Sequence, residues 1–234
     1  MTVLSIPARR EWTYTDDLAG SKHRMFEFRL VYQGLLLASD KEGHRAEHKQ
    51  AIRRYFHPQL VNLWNTKHPL KERVDSTFLY GQREGKGEWA NGLEAVATNY
   101  RIGQQKFLPI VTHDDFLVCG LDILLLRRDF SSVVNSGDLD NRIKTLIDAL
   151  RLPTPAEGFD GPENPLCCVM EDDKLISEIR VLADYLFADP EQLVHDPKIS
   201  AFTGEYKIKE NHVIAVVHVT VKATRHAPGN VEFL

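Results

Sequence analysis

The chain has 234 residues, 43% of them hydrophobic and 26% charged, with a formal net charge of −4 and a pI near 6.2. That length buries a core without disulfide or metal staples, and the acidic balance argues against a generic nucleic-acid coat, whose usual footprint is strongly basic. No apolar run approaches the ~20 residues of a membrane span, and the start, MTVLSIPARREWTYTDDLAG, has neither a signal-peptide h-region nor a small-residue cleavage site, so a soluble cytoplasmic protein is expected. Cys119, Cys167 and Cys168 lack Cys-x-x-Cys spacing and read as buried or idle thiols in a reducing compartment.

Residues 1–25 read as an irregular extension ahead of one main domain, 26–234. Phe26, Phe28 and Leu30 alternate with polar residues, which suits a half-buried strand interrupted at Gly34. From His44 to Trp64, Ile52, Phe56, Leu60 and Leu63 recur at three- and four-residue intervals, predicting an amphipathic helix bent at Pro58. On that helix Arg45, Lys49 and Arg53 lie four residues apart, with Arg54 beside them. The stripe has two readings, a solvated helix face or a track for a phosphate backbone that Arg127 and Arg128 would extend into one nucleic-acid-binding groove.

Residues 65–107, Gly-rich and weakly periodic, read as an insertion or mobile loop. FLVCGLDILLLRRD, 116–129, is nearly all apolar and predicts a central strand buried on both faces. Asp122 inside it is out of pattern and reads either as reaching a site or as a core aspartate held by N–H groups. SGDLDNRIKTLIDAL, 136–150, starts a helix whose Leu139, Ile143, Leu146, Ile147 and Leu150 form an apolar ridge, while Asp140, Lys144 and Asp148 follow another line. A Pro- and Gly-rich loop, 153–165, is read as a second insertion, and Leu166–Met170 leads as a strand into the acids EDD. Ile179, Val181, Ala183 and Tyr185 then alternate, and HVIAVVHVTVKA, 212–223, is the clearest strand. The order predicts an α/β or α+β domain, one mixed β-sheet with helices packed on it.

Asp138 suits a helix N-cap, and acids in a first turn are favoured by the helix dipole, so capping alone accounts for Asp138 and Asp140. The competing reading is coordination. Asp138, Asp140, Asn141, Glu171, Asp172 and Asp173 form an oxygen-rich set of the kind Mg²⁺ or Mn²⁺ takes, and Lys144 lies one turn beyond Asp140, where a cation would face a metal-held phosphate. No competing motif is present. His44 and His48 lack the acid of a zinc helix, and neither a nucleophile elbow nor a Walker loop occurs.

GDLDNRIKTLIDAL followed by VMEDDKLISEIRV resembles the RusA family of Holliday-junction resolvases, whose signature is an Asp-x-Asp-Asn helix start, a lysine four residues after the second Asp, and a downstream Asp-Asp pair before an apolar strand. The match is sharpest over 138–181. The resemblance implies a RusA-like fold and a homodimer that cuts branched DNA by paired phosphodiester hydrolysis, leaving 5′-phosphate and 3′-hydroxyl ends. It implies Asp138, Asp140 and Asp173 as metal-binding catalytic carboxylates, Asp172 as the alternative ligand in the pair, and Lys144 as the catalytic lysine. Two further functions fit the same residues: a non-catalytic DNA-junction binding module, and a metal-dependent phosphohydrolase of small nucleotides. Family members are shorter and basic, unlike this chain.

Overall fold

The computed structural model describes residues 26–38, 45–84, 92–97, 99–127, 137–159, 161–186, 212–227, 230 and 233, with main chain alone at 45, 78–84, 137 and 138. The extension expected over 1–25 lies outside the described residues. Strand β1 (Phe26–Leu35) buries every second side chain, as its alternation requires, and pairs antiparallel with β7 (His212–Ala223) from Phe26 opposite Val221 to Leu35 opposite His212. β7 pairs antiparallel with β4 (Leu117–Arg127), and β4 pairs in parallel with β6 (Ile176–Tyr185), so the four-stranded sheet runs β1-β7-β4-β6.

One face of this sheet carries Phe28, Leu30, Leu121, Ile123, Val217 and Val219 into the main core. The other face is wetter, and this corrects the reading of β4 as buried on both sides. Val118, Leu124 and Leu126 are only half-buried, and Asp122 is exposed on that outer face, 3.9 Å from the still more exposed Arg180 on β6. Asp122 therefore neither reaches the acidic cluster nor sits in the core.

Helix α1 (Arg45–Thr66) lays Ile52, Phe56, Leu60 and Trp64 into the core and continues through Pro58. Residues 65–107 are not a loop. They form α2 (Leu70–Glu84), α3 (Gly92–Val96), β2 (Arg101–Ile102) and the start of β3 (Gln105–Val111). Leu70, Val74 and Ala97 from this stretch join the main core, so the segment is part of the domain's packing. A second, three-stranded sheet β2-β3-β5 sets β3 parallel to β5 (Leu166–Met170), with Phe107 opposite Leu166. Two sheets thus replace the single one expected, within the same α+β class. Helix α4 (Gly137–Leu150) lies between β4 and β5 in the chain and packs on α1 and β5.

The three cysteines are free and buried, and burial pushes the Cys119 and Cys168 thiols up to about 12. They stay protonated and unreactive at neutral pH.

His48 on α1 accepts a hydrogen bond at Nε2 from the Leu37 N–H at 3.3 Å, and burial pushes its pKa from 6.5 down to about 4. The native chain therefore refuses a proton that the unfolded chain takes up below the ordinary value. Stability from the neutral ring is complete above 6.5 and is lost as pH falls towards 4. The full loss is about 3 kcal/mol. His57, which accepts from the Cys167 N–H at 3.1 Å, is lowered by burial too and adds in the same direction. Urea unfolding followed from neutral to mildly acidic pH is expected to show a falling midpoint in the parent and a shallower fall in His48→Gln. Parallel pH slopes would remove His48 from this account.

Candidate functional site

The ridge of α4 turns Ile143, Leu146 and Leu150 into the core, while Leu139 and Ile147 are half-buried at its margin, and Leu139, Ile143 and Ile147 line a cleft shared with β6. Between helix and strand lies a cleft of about 570 Å³ whose facing wall is Ile176, Ile179 and Val181. Its polar groups are Asp140, Lys144, Asp148 and Asp173. Three of the four residues that the motif puts in catalytic roles therefore line one cleft, although Asp173 is 33 positions after Asp140 in the chain. Asp138 is in the first turn of α4, and its side chain lies outside the described residues.

Local backbone decides between the adjacent carboxylates. Residues Asp173–Leu175 form a 3-10 turn for which Asp172 is the N-cap, its carboxylate accepting from the Lys174 N–H at 2.9 Å. That hydrogen bond is the main reason the Asp172 carboxyl is held below its usual range. Asp172 is thus committed to its own turn, and Asp173 is the one that lines the cleft. Glu171 is committed as well, accepting from the His113 N–H at 3.0 Å in the turn between β3 and β4.

Asp148 is neutralised from outside the cleft by Lys49 and Arg151, each at 3.3 Å. Asp140 and Lys144, by contrast, are exposed and have no ion pair with a described residue. The cleft thus presents two carboxylates and one ammonium on an aliphatic floor. Among the described residues no three His, Cys, Asp or Glu side chains gather closely enough to hold a metal ion. The donors still fit a hard divalent cation, because Mg²⁺ keeps several waters and is commonly bound through one or two carboxylates. Asp140 and Asp173 provide those two, and both are oxygen ligands.

The expected nucleic-acid groove requires correction. Lys49 is 7% exposed, Arg53 1% and Arg127 6%. Lys49 bonds to Asp148 and Glu157; Arg53 donates to Glu157 at 3.0 Å and to the Asp148 and Arg151 carbonyls at 2.7 and 3.3 Å. These cations point inward because 49, 53, 56, 60 and 64 are one helical line, so Lys49 and Arg53 extend the stripe that Phe56, Leu60 and Trp64 bury. Arg127 ends a strand flanked on both sides by β6 and β7. Arg54 is half-buried against Phe159, with Glu163 at 3.5 Å. The side chain of Arg45 and all of Arg128 lie outside the described residues.

Glu157 escaped the motif reading, yet it is the acid that holds Lys49 and Arg53 under α4. A signal existed in the sequence. Two basic residues in register with an apolar stripe need acidic partners, and Asp148 and Glu157 supply them from 99 and 108 positions beyond Lys49.

No family profile, curated protein or solved structure matches this chain.

Proposed function

We propose that the chain is a metal-dependent phosphodiesterase, a DNA endonuclease of RusA type, with the α4–β6 cleft as its active site. The observation that carries this reading is the meeting of Asp140, Lys144 and Asp173 on one cleft. Asp140 and Asp173 would hold Mg²⁺ or Mn²⁺, with Asp138 as the third carboxylate that the resemblance implies. When bound, the ion supplies an acidic water at neutral pH and offsets phosphate charge. Lys144, one turn along α4, is placed to stabilise negative charge on the phosphoryl or leaving oxygen as the ester P–O bond breaks.

Burial of Lys49, Arg53 and Arg127 favours a second reading, hydrolysis of small nucleotides by the same residues, since that activity needs no basic groove. Branched DNA as substrate rests on the motif and not on a charged surface. A substrate panel separates the two: Mg²⁺-dependent nicking of four-way and forked duplexes above linear duplex supports the nuclease, whereas turnover of nucleoside triphosphates alone supports the second reading. Inertness towards both, with metal present, would leave the acids as caps and solvated surface.

Lys144→Ala is expected to lower turnover at least about a hundredfold, as a charge directed at the transition state is worth ~3 kcal/mol, with little change in metal affinity. Single-turnover cleavage at saturating metal measures this. A loss confined to substrate binding would make Lys144 a backbone contact.

A further inference from the structure

The α4–β6 cleft is larger and more apolar than a metal ion and a phosphate require. At about 570 Å³ it is of a size that encloses a small organic ligand, and six aliphatic side chains wall it, Leu139, Ile143 and Ile147 on α4 and Ile176, Ile179 and Val181 opposite. An apolar slot of this kind suits the two faces of a flat ring system. The polar residues that α4 contributes, Asp140, Lys144 and Asp148, are successive turns of one helix line, so Asp148 lies about 12 Å along the axis from Asp140. That span is comparable to the reach from a phosphate across its sugar to the far edge of the base. We infer that the cleft holds an unpaired nucleobase between its aliphatic walls, with Asp148 recognising the amino edge of guanine.

The bonding of Asp148 selects the base. Lys49 donates to its Oδ2 and Arg151 to its Oδ1, each at 3.3 Å, so cations behind the cleft fix both oxygens in place. A carboxylate has about four lone-pair sites, and each oxygen therefore keeps an acceptor position for a ligand. Guanine offers the adjacent N1–H and N2–H donors that a carboxylate accepts side by side. Adenine and cytosine offer one amino group, and the single N–H of thymine lies between two carbonyls that repel the anion. A base held in the cleft cannot also stack and pair in a duplex, so its nucleotide is at a branch, in a single strand or free.

The inference rests on the proposed hydrolytic reading for the phosphate, which Asp140 and Lys144 would engage. To that reading it adds base identity, and it serves a branched-DNA and a small-nucleotide substrate alike. The base contacts themselves need neither phosphate nor metal.

Saturation-transfer difference NMR on the full chain in EDTA tests it, with deoxyguanosine, deoxyinosine and thymidine as probes. Deoxyguanosine is expected to bind, and deoxyinosine, which lacks the 2-amino group, to bind at least about tenfold more weakly, as for loss of one hydrogen bond to a charged group. Thymidine is expected not to compete. Asp148→Asn should bring the two purines within about twofold of each other, because an amide keeps a single acceptor oxygen. Should that variant misfold, Ile179→Asp carries the test, since Ile179 is 49% exposed and the change sets a solvated carboxylate against the ring face. Deoxyguanosine binding is then expected to fall at least about tenfold. Absent deoxyguanosine binding, equal binding of all three nucleosides, or an unchanged purine preference in folded Asp148→Asn overturns the inference, as does undiminished binding by Ile179→Asp. Deoxyguanosine preference in a chain that hydrolyses no phosphoester keeps the base subsite and removes only the hydrolytic reading, whereas Mg²⁺-dependent hydrolysis without nucleoside preference does the reverse.

Discussion

Asp140→Asn is expected to reduce Mg²⁺-dependent hydrolysis at least about a thousandfold, on the order of 4 kcal/mol, while leaving the fold intact. The substitution preserves shape and removes one of the carboxylate charges that line the cleft. Asp140 is exposed and has no ion pair with a described residue, so no buried partner is orphaned and thermal unfolding should be unchanged. Asp173→Asn should behave alike, whereas Asp172→Asn should cost some stability of the 3-10 turn and little turnover, since Asp172 serves the Lys174 N–H. Cleavage by the Asp140 variant at the parent's rate would dissociate α4 from catalysis. The reverse ranking of Asp172 and Asp173 would relocate the ligand by one residue.

The second large effect is on stability and falls on Glu157. Burial alone would push its carboxyl up, but Lys49 and Arg53 hold it below the ordinary carboxylate range. Glu157 also accepts from the Thr154 N–H at 3.1 Å, so one side chain ties the loop after α4 to α1. Glu157→Ala leaves two buried cations short of a counter-charge, and breaking such a pair costs about 3–5 kcal/mol. Glu157→Gln should lose less, because it retains acceptor capacity. The stability that the carboxylate contributes is present above its ordinary pKa of 4.5 and is lost as pH falls below it, under the range where His48 acts. Urea unfolding of both variants at neutral pH measures the difference, and a loss within about 0.5 kcal/mol for Glu157→Ala would show that Asp148 and backbone carbonyls suffice for Lys49 and Arg53.

Where one periodicity dominated, the fold was legible in the sequence. The alternation of β1 and of the strand at 212–223 buries the residues that the spacing selects, and the ridge of α4 buries Ile143, Leu146 and Leu150 with Leu139 and Ile147 half-buried beside them. The near-continuous apolar run of β4 misled, because Val118, Leu124 and Leu126 occupy a sheet face that is only partly covered. The helices within 65–107 were hidden by composition. Leu70 and Val74 are a thin stripe, and Gly81 falls inside α2. The second sheet depends on β3 meeting β5 across 59 positions, from Phe107 to Leu166, a non-local pairing that no local pattern announces.

At the site, the motif indicated Asp140, Lys144 and Asp173, and the cleft brings those three together. The motif ranks Asp173 ahead of Asp172 without a physical reason, which comes only from the 3-10 turn that Asp172 caps. The basic stripe on α1 was misread for a related reason. Four-residue spacing marks a helix face without saying whether that face looks out or in, and Lys49 and Arg53 look in because Asp148 and Glu157 await them.

The most direct test of the cleft as a metal-assisted hydrolytic centre is titration of Mn²⁺ into the full chain, followed by the loss of its free-ion paramagnetic resonance signal. The parent is expected to bind, with affinity weakened at least about tenfold in Asp140→Asn and in Asp173→Asn, as when one of two carboxylate ligands is neutralised, and retained in Asp172→Asn. Equal Mn²⁺ affinity in all four proteins, or a loss confined to Asp172→Asn, would contradict it.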